Sequence, residues 1–342
     1  RVRRYTTFDD KCKYMIIRNL HEMRGAIVLP VYNAEEYITD CLDSIHAQTY
    51  PYWKAYCIND GSKDNTAFIL DDYAKKDARI RVFHTPNAGA ASARNFALNK
   101  IEDEEWISFI DADDYIGPSM YEFIFKAIGN EHIDYVRLFS RRTPQRYNPQ
   151  AVNSDESKNV NYKIVTREEY FVNESVGGYT HSLFVKKGIV DDHQGAFPEK
   201  MVMLEDQAFS IACATHAKKI LILDQPRNYF YYSGNESSIT RTSKDTSNDI
   251  IRCLNIVYKA FKATGSSAII NDYFSRKYLP VKLDSLYSKR LHYRHIKLTE
   301  RLLPEIRLRI GRLSFKTKIK YIIVKIFRLI IECRKIRPDL TQ

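Results

Sequence analysis

Between Gly25 and Ile110 the chain repeats one pattern four times: a short apolar run, a polar turn, then a stretch with helical spacing. The runs are Ala26–Val31, Ala55–Ile58, Ile80–His84 and Trp106–Ile110. Ala26–Val31 is continuous, as expected of a strand buried on both faces, and the other three read as further strands. The segments between them read as helices. Glu35–Gln48 places Tyr37, Ile38, Cys41, Leu42 and Ile45 on one face, and Thr66–Lys76 and Ala90–Lys100 follow. Pro118–Gly129 is a further helix, with proline near its start and glycine at its end, and Ile133–Phe139 a further strand. Strands alternating with helices require a mostly parallel central sheet with helices on both faces, an α/β fold.

In such sheets ligands bind outside the carboxyl ends of the strands. The polar turns there are unusual. The fourth run ends in Asp111-Ala112-Asp113-Asp114. Three carboxylates this close repel one another unless a hard divalent cation lies among them, and such a cation would neutralise a diphosphate. The plainer alternative is an acidic turn with Asp114 capping the next helix. The first run ends in Pro30-Val31-Tyr32-Asn33, with Glu35 opening the helix. Proline ends the strand ladder there, leaving a turn that can hold a base or ribose, or that merely joins strand to helix. The second run ends in Asn59-Asp60-Gly61-Ser62. Asp60 can accept a nucleobase N–H, and Gly61 admits a close backbone, although Asp64 or Thr66 can equally cap a helix there. After the third run, Asn87-Ala88-Gly89 leads into Ala91-Ser92-Ala93-Arg94-Asn95. Arg94 stands among small residues, free to reach a phosphate or to form a surface ion pair.

The four turns in this order resemble those of the family 2 glycosyltransferases, over residues 25–235. The resemblance implies a GT-A (Rossmann-like) fold with a helical C-terminal extension. It also implies transfer of a sugar from a nucleotide diphosphate donor, usually UDP-linked, with inversion at the anomeric carbon. On that resemblance Asp60 reads the base, and Asp111 and Ala112 lie near the ribose. Asp113 binds Mn2+ or Mg2+ and Asp114 is its frequent partner. Gly89 and Arg94 lie near the nucleotide, and Pro30, Tyr32, Asn33 and Glu35 form the base-proximal turn. Single displacement needs one general base for the acceptor hydroxyl. The segment Phe197–Phe209 matches the family's Glu-Asp stretch, which makes Asp206 that base and Glu205 the second choice. Without the resemblance the pair is simply acidic residues favoured by a helix N-terminus. Ser233–Arg241 either closes over the diphosphate or is a polar loop, and His181 and Lys186 fall in the acceptor region.

Composition sets the remaining bounds. A hydrophobic fraction of 44% with 28% charged residues suits a globular chain, and 342 residues allow one large α/β domain with an appendage. Six scattered cysteines without a Cys-x-x-Cys pair read as buried thiols in a reducing compartment. The net charge of +11 is concentrated: Lys289–Gln342 holds 16 Lys and Arg against 4 Asp and Glu. Within it Ile319, Ile322, Ile323, Ile326 and Ile330 recur at helical spacing, with Lys318, Lys325 and Arg328 off that stripe. Cations interrupt every apolar run, so residues 300–342 should lie on an anionic membrane surface rather than cross it, or pack on the catalytic domain. No nucleic-acid motif accompanies the charge, so nucleic acid is not an expected partner. No secretory signal is visible, which points to the cytoplasmic face of the cell membrane.

The expected organisation is an unassigned extension at 1–24, a nucleotide-sugar-binding half at 25–140, an acceptor half carrying the base at 141–240, and a helical, basic region at 241–342. The expected partners are a nucleotide-sugar donor and a lipid-linked or cell-surface glycan acceptor such as lipopolysaccharide, capsule or exopolysaccharide. The transferred group would be a hexosyl or N-acetylhexosaminyl unit. The alternative is a catalytically silent sugar-nucleotide or glycan-binding protein on the same fold.

Overall fold

The computed structural model describes residues 23–150, 162–174, 179–192, 196–199, 201–223, 229–235, 247–265 and 278. The chain divides into two compact units, residues 1–242 and 243–342. In the first, strands β1 (Gly25–Val31), β2 (Trp53–Asp60), β3 (Ile80–Thr85) and β4 (Trp106–Phe109) form a parallel block in the order β3-β2-β1-β4. Helices α1 (Ile38–His46), α2 (Thr66–Lys76) and α3 (Ala90–Leu98) are the crossovers. Every residue of β1 except Pro30 is buried, as its unbroken apolar run requires. All four strands point the same way, so their carboxyl ends, and the polar turns they carry, share one edge.

The sheet continues β9-β6-β10-β8. Strand β9 (Leu183–Lys186) runs antiparallel between β4 and β6 (Tyr135–Arg137), β10 (Lys219–Leu223) is parallel to β6, and β8 (Tyr162–Thr166) closes the edge antiparallel. A second sheet, β5-β11-β7, joins Tyr115–Ile116, Tyr229–Tyr232 and Arg141–Thr143. Helix α4 (Met120–Ile128) follows β5, α5 (Arg167–Asn173) follows β8 and α6 (Lys187–Asp192) follows β9. Helix α7 (Glu205–His216) is buried from Ala208 to Thr215. It is rich in Ala, Ser, Cys and Thr, whose small side chains let neighbours approach closely. Its polar groups are paired: Ser210 shares a 2.9 Å hydrogen bond with Tyr135, and Thr215 donates to the Ala212 carbonyl at 2.7 Å.

Several expectations need correction. Pro30 does not end the ladder: β1 runs to Val31, with Pro30 opposite Ile58. Ile110 N–H bonds the Val28 carbonyl, so the backbone of residue 30, two further on, also faces β4. Pairing with β4 stops at Val28, so the N–H that Pro30 lacks falls beyond the end of that ladder. Helix α1 opens at Ile38 rather than Glu35, because Glu35 is used in a turn. The acceptor half opens with β7 at Arg141–Thr143.

Of the second unit, helix α8 (Ser247–Ala263) is described and buries Ile250, Ile251, Leu254, Val257 and Phe261. Among the described residues no helix is long and apolar enough to cross a membrane. The extension at 1–22, most of the 233–241 loop and the basic tail at 300–342 lie outside the described residues. Cys41, Cys57, Cys213 and Cys253 are buried free thiols.

Candidate active site

The tips of β1 and β2 are laced together. Asn33, in the left-handed region at φ 46, donates its N–H to Ser62 Oγ at 3.0 Å and accepts the Lys63 N–H at 2.8 Å. Ala34 N–H bonds Thr66 Oγ1 at 2.9 Å and Glu35 N–H bonds an Asp64 carboxylate oxygen at 3.1 Å. The Glu35 carboxylate accepts the Asn65 N–H at 2.8 Å and its amide group at 2.9 Å. Tyr32 is exposed at this corner, as are Asn33 and Glu35 beside it. Asp60 is buried, and its two carboxylate oxygens accept the N–H groups of Ala88 and Gly89, each at 2.8 Å. The turn therefore fixes the loop that opens α3. Gly61 sits at φ +72, and a Cβ there would stand 2.8 Å from the Asn87 nitrogen, so this corner requires glycine.

The acidic loop is held from behind by β11. Asp114 is 1% exposed and accepts the Tyr229 hydroxyl at 2.7 Å and the Tyr232 N–H at 2.8 Å. The same Tyr229 oxygen accepts the Asp111 N–H at 3.2 Å. Burial, then the charges of Asp113 and Asp111, push the Asp114 carboxyl well above the usual carboxylate range. Asp113 is half-buried, bonded to the Asn235 amide at 2.8 Å, and raised by burial and by Asp111. Ala112 packs against the core beneath the loop. His181, on a 3-10 turn (Thr180–Ser182), brings Nδ1 to 4.0 Å from Asp111 and shares Nε2 with Ser140 at 3.3 Å. Burial lowers the His181 pKa to about 4, so its ring is neutral and keeps a lone pair.

Among the described residues, Asp111, Asp114 and His181 bring ligand atoms within 4.8 Å of one another. Two carboxylates and a neutral imidazole suit a divalent cation such as Mn2+. The sequence pointed to Asp113 alone as the metal ligand. Its carboxylate belongs to the same loop but stands outside this trio.

Arg94 does not project to solvent. It is 6% exposed and donates to Asp111 at 2.9 Å and to Glu205 at 3.0 Å, with its guanidinium 5.3 Å from the centre of the Phe197 ring. It thus ties the acidic loop to the first turn of α7, two segments far apart in sequence. Asn95 clamps the backbone of Phe197, accepting its N–H at 2.7 Å and donating to its carbonyl at 2.9 Å. Phe197 stacks on Phe209 at 4.0 Å, and Phe109 meets both edge-on. Asp206, in the first turn of α7, is raised to about 7 by burial and then by Glu205, opposed by Arg94. Leu204, just before the acidic pair, sits in the left-handed region at φ 70.

Residues 26–190 match the family model described as glycosyl transferase family 2. This is a family 2 glycosyltransferase domain. The chain is 30% identical over 225 residues to the uncharacterized glycosyltransferase EpsJ of Bacillus subtilis, a match covering 63% of this chain and 62% of that one. It is 27% identical over 213 residues to the poly(ribitol-phosphate) beta-N-acetylglucosaminyltransferase TarS of Staphylococcus aureus, covering 61% of this chain and 35% of TarS. The chain thus spans less than two thirds of these relatives' length. In structure it resembles S. aureus TarS in complex with UDP-GlcNAc, with a TM-score of 0.67 at 20% identity, over 86% of this chain and 83% of that one. That likeness fixes the GT-A fold.

In this glycosyltransferase domain the acidic loop, Arg94, Glu205 and Asp206 lie together. Lys186 does not join them. It is paired with Trp106 at the amino end of β4, so it lies at the opposite edge of the sheet, near Glu105 at 3.6 Å. Sequence reasoning assigned no role to Tyr229, Asn95 or Asn235. Tyr229 lay in a conspicuous aromatic run, and Asn95 directly follows Arg94, but their partners are remote in the chain.

Proposed function

We propose that this domain transfers a sugar from a UDP-sugar, with inversion, to a hydroxyl of a cell-surface glycan, using Asp206 as general base. The observation that carries the reading is the Arg94 bridge. It makes the acidic loop and the base segment two walls of one site rather than two separate features. Asp206, poised near neutrality, can take a proton from an acceptor hydroxyl at physiological pH. Glu205 is committed to Arg94, which favours Asp206 over Glu205 as the proton acceptor. Asp113 and the Asp111, Asp114 and His181 trio would hold the cation. A divalent ion bound there supplies Lewis-acid stabilisation of the departing diphosphate. Tyr32, Asn33 and the Asp60 corner form the floor for the nucleotide, and the laced β1–β2 tips keep that floor rigid. Asp60 retains lone pairs for a base N–H beyond the two it already serves.

The relative TarS is a poly(ribitol-phosphate) beta-N-acetylglucosaminyltransferase, and its structure holds UDP-GlcNAc. Those facts support a UDP-sugar donor and a surface polymer as acceptor. Residues 300–342 would dock the protein on the anionic inner face of the membrane, where such acceptors are assembled. The test is release of UDP from a panel of UDP-sugars with Mn2+ or Mg2+, followed by product analysis on cell-envelope glycans. The reading requires turnover that needs the cation and falls in Asp113→Asn. Metal-independent turnover, or turnover untouched by that substitution, would remove it.

A further inference from the structure

Three rings form a ladder beside the acidic loop. Tyr229, whose hydroxyl contacts Asp114 and the backbone of Asp111, stacks on His181 at 5.0 Å and 27°. His181 in turn stacks on Tyr179 at 5.3 Å and 12°. The ladder runs outward: Tyr229 is fully buried, His181 is 8% exposed, and Tyr179 is 59% exposed. The 3-10 turn that carries His181 packs against both β4, which leads into the acidic loop, and α7, which begins with Glu205 and Asp206. Tyr179 is therefore the exposed end of a ring ladder that starts at the acidic loop, on a turn packed between β4 and α7. It lies one ring further out than the residue nearest Asp111.

A large, exposed tyrosine is ordinarily a small desolvation liability, and this one is also held by a coplanar imidazole. The buried part of the ladder fixes the plane of the outer ring in advance. A ring so oriented suits the flat C–H face of a hexopyranose, because its negative π-face attracts polarised C–H groups while the sugar's hydroxyls stay in water. We infer that Tyr179 is the stacking platform for the pyranose ring of the acceptor glycan. This rests on the transferase reading above and adds the residue that orients the acceptor. The turn that positions Tyr179 packs on α7, which carries the proposed base, and the acceptor is the sugar that must meet that base, so the platform is assigned to the acceptor rather than to the donor. Tyr179 contributes orientation and specificity, while proton removal belongs to Asp206.

The test uses the full chain with UDP and Mn2+, and saturation-transfer NMR of the methyl β-glycosides of glucose, galactose and N-acetylglucosamine. At least one glycoside should receive saturation on its C–H face. Tyr179→Ala should weaken that glycoside roughly three- to tenfold while UDP affinity stays at the wild-type value. Tyr179→Phe and Tyr179→Trp should retain binding, since they keep the ring and discard only the hydroxyl. The inference is overturned if no glycoside binds wild type, or if Tyr179→Ala binds as wild type does. It is equally overturned if Tyr179→Ala weakens UDP-GlcNAc relative to UDP, which would make the platform a donor-sugar site. Failure of the transferase reading looks different: wild type would not cleave any UDP-sugar in the presence of Mn2+.

Discussion

At the scale of single residues the site is a set of charges held in unfavourable places by named partners. Asp206 is the most telling. Its folded pKa of about 7 lies above the ordinary unfolded value of about 3.9, so between those values the native state binds the extra proton. Stability contributed by the protonated form is complete at low pH and is lost as pH rises toward 7. Asp206→Asn should therefore melt at a higher temperature than wild type at pH 8, with the difference closing near pH 4. The same substitution should lower turnover by roughly 10²–10⁴-fold, because a positioned base is worth that much. In wild type, kcat/KM should climb through an acid limb centred near pH 7 and then level off. Arg94 is the counterpart. Arg94→Met leaves the buried Glu205 carboxylate without its cation, a loss of about 3 kcal/mol measurable by urea unfolding. Of these residue-level features the sequence singled out Arg94, Glu205 and Asp206 as candidates, through the order of the motifs along the chain. It did not reveal that Arg94 bonds two carboxylates, since Glu205 is 111 residues away and no local pattern encodes that contact.

At the scale of elements, strands β1, β2 and β4 were legible because burial on both faces demands largely unbroken apolar runs, whereas β3 is buried only at Ile80. The antiparallel insertion of β9 between β4 and β6 was not, because pairing direction leaves no mark on a run of four residues such as Leu183–Lys186. That insertion is what carries His181 to the acidic loop, so the fold detail hardest to read is the one that completes the candidate metal trio. The start of α1 was misplaced for a local reason: the Glu35 carboxylate is consumed by Asn65, and helical spacing alone cannot show that. The small sheet is held to the acidic loop by the Tyr229 hydroxyl and the Tyr232 N–H. Tyr229→Phe removes the bond to Asp114 and the acceptor for the Asp111 N–H, and should cost about 1–3 kcal/mol in chemical denaturation. Gly61→Ala should destabilise the β2 corner and loosen the loop at Asn87–Gly89, read as faster amide exchange at Ala88 and Gly89, the two N–H groups held by Asp60.

At the scale of the whole molecule, the charge is divided as sharply as the chemistry. Residues outside the last segment are close to neutral, while Lys289–Gln342 carries 16 basic residues against 4 acidic. On the proposed reading that segment brings the transferase to an anionic surface. The chain should co-float with vesicles containing phosphatidylglycerol in low salt, and deletion of 300–342 should abolish flotation without changing UDP affinity. The claim on which everything else depends is that Asp206 and the acidic loop serve one reaction in different roles. Isothermal titration of UDP with Mn2+, paired with UDP-sugar turnover, on wild type and Asp206→Asn tests it most directly. The account predicts UDP affinity close to wild type in Asp206→Asn with turnover lost. Wild-type turnover in that variant, or loss of UDP binding as severe as in Asp113→Asn, would contradict it.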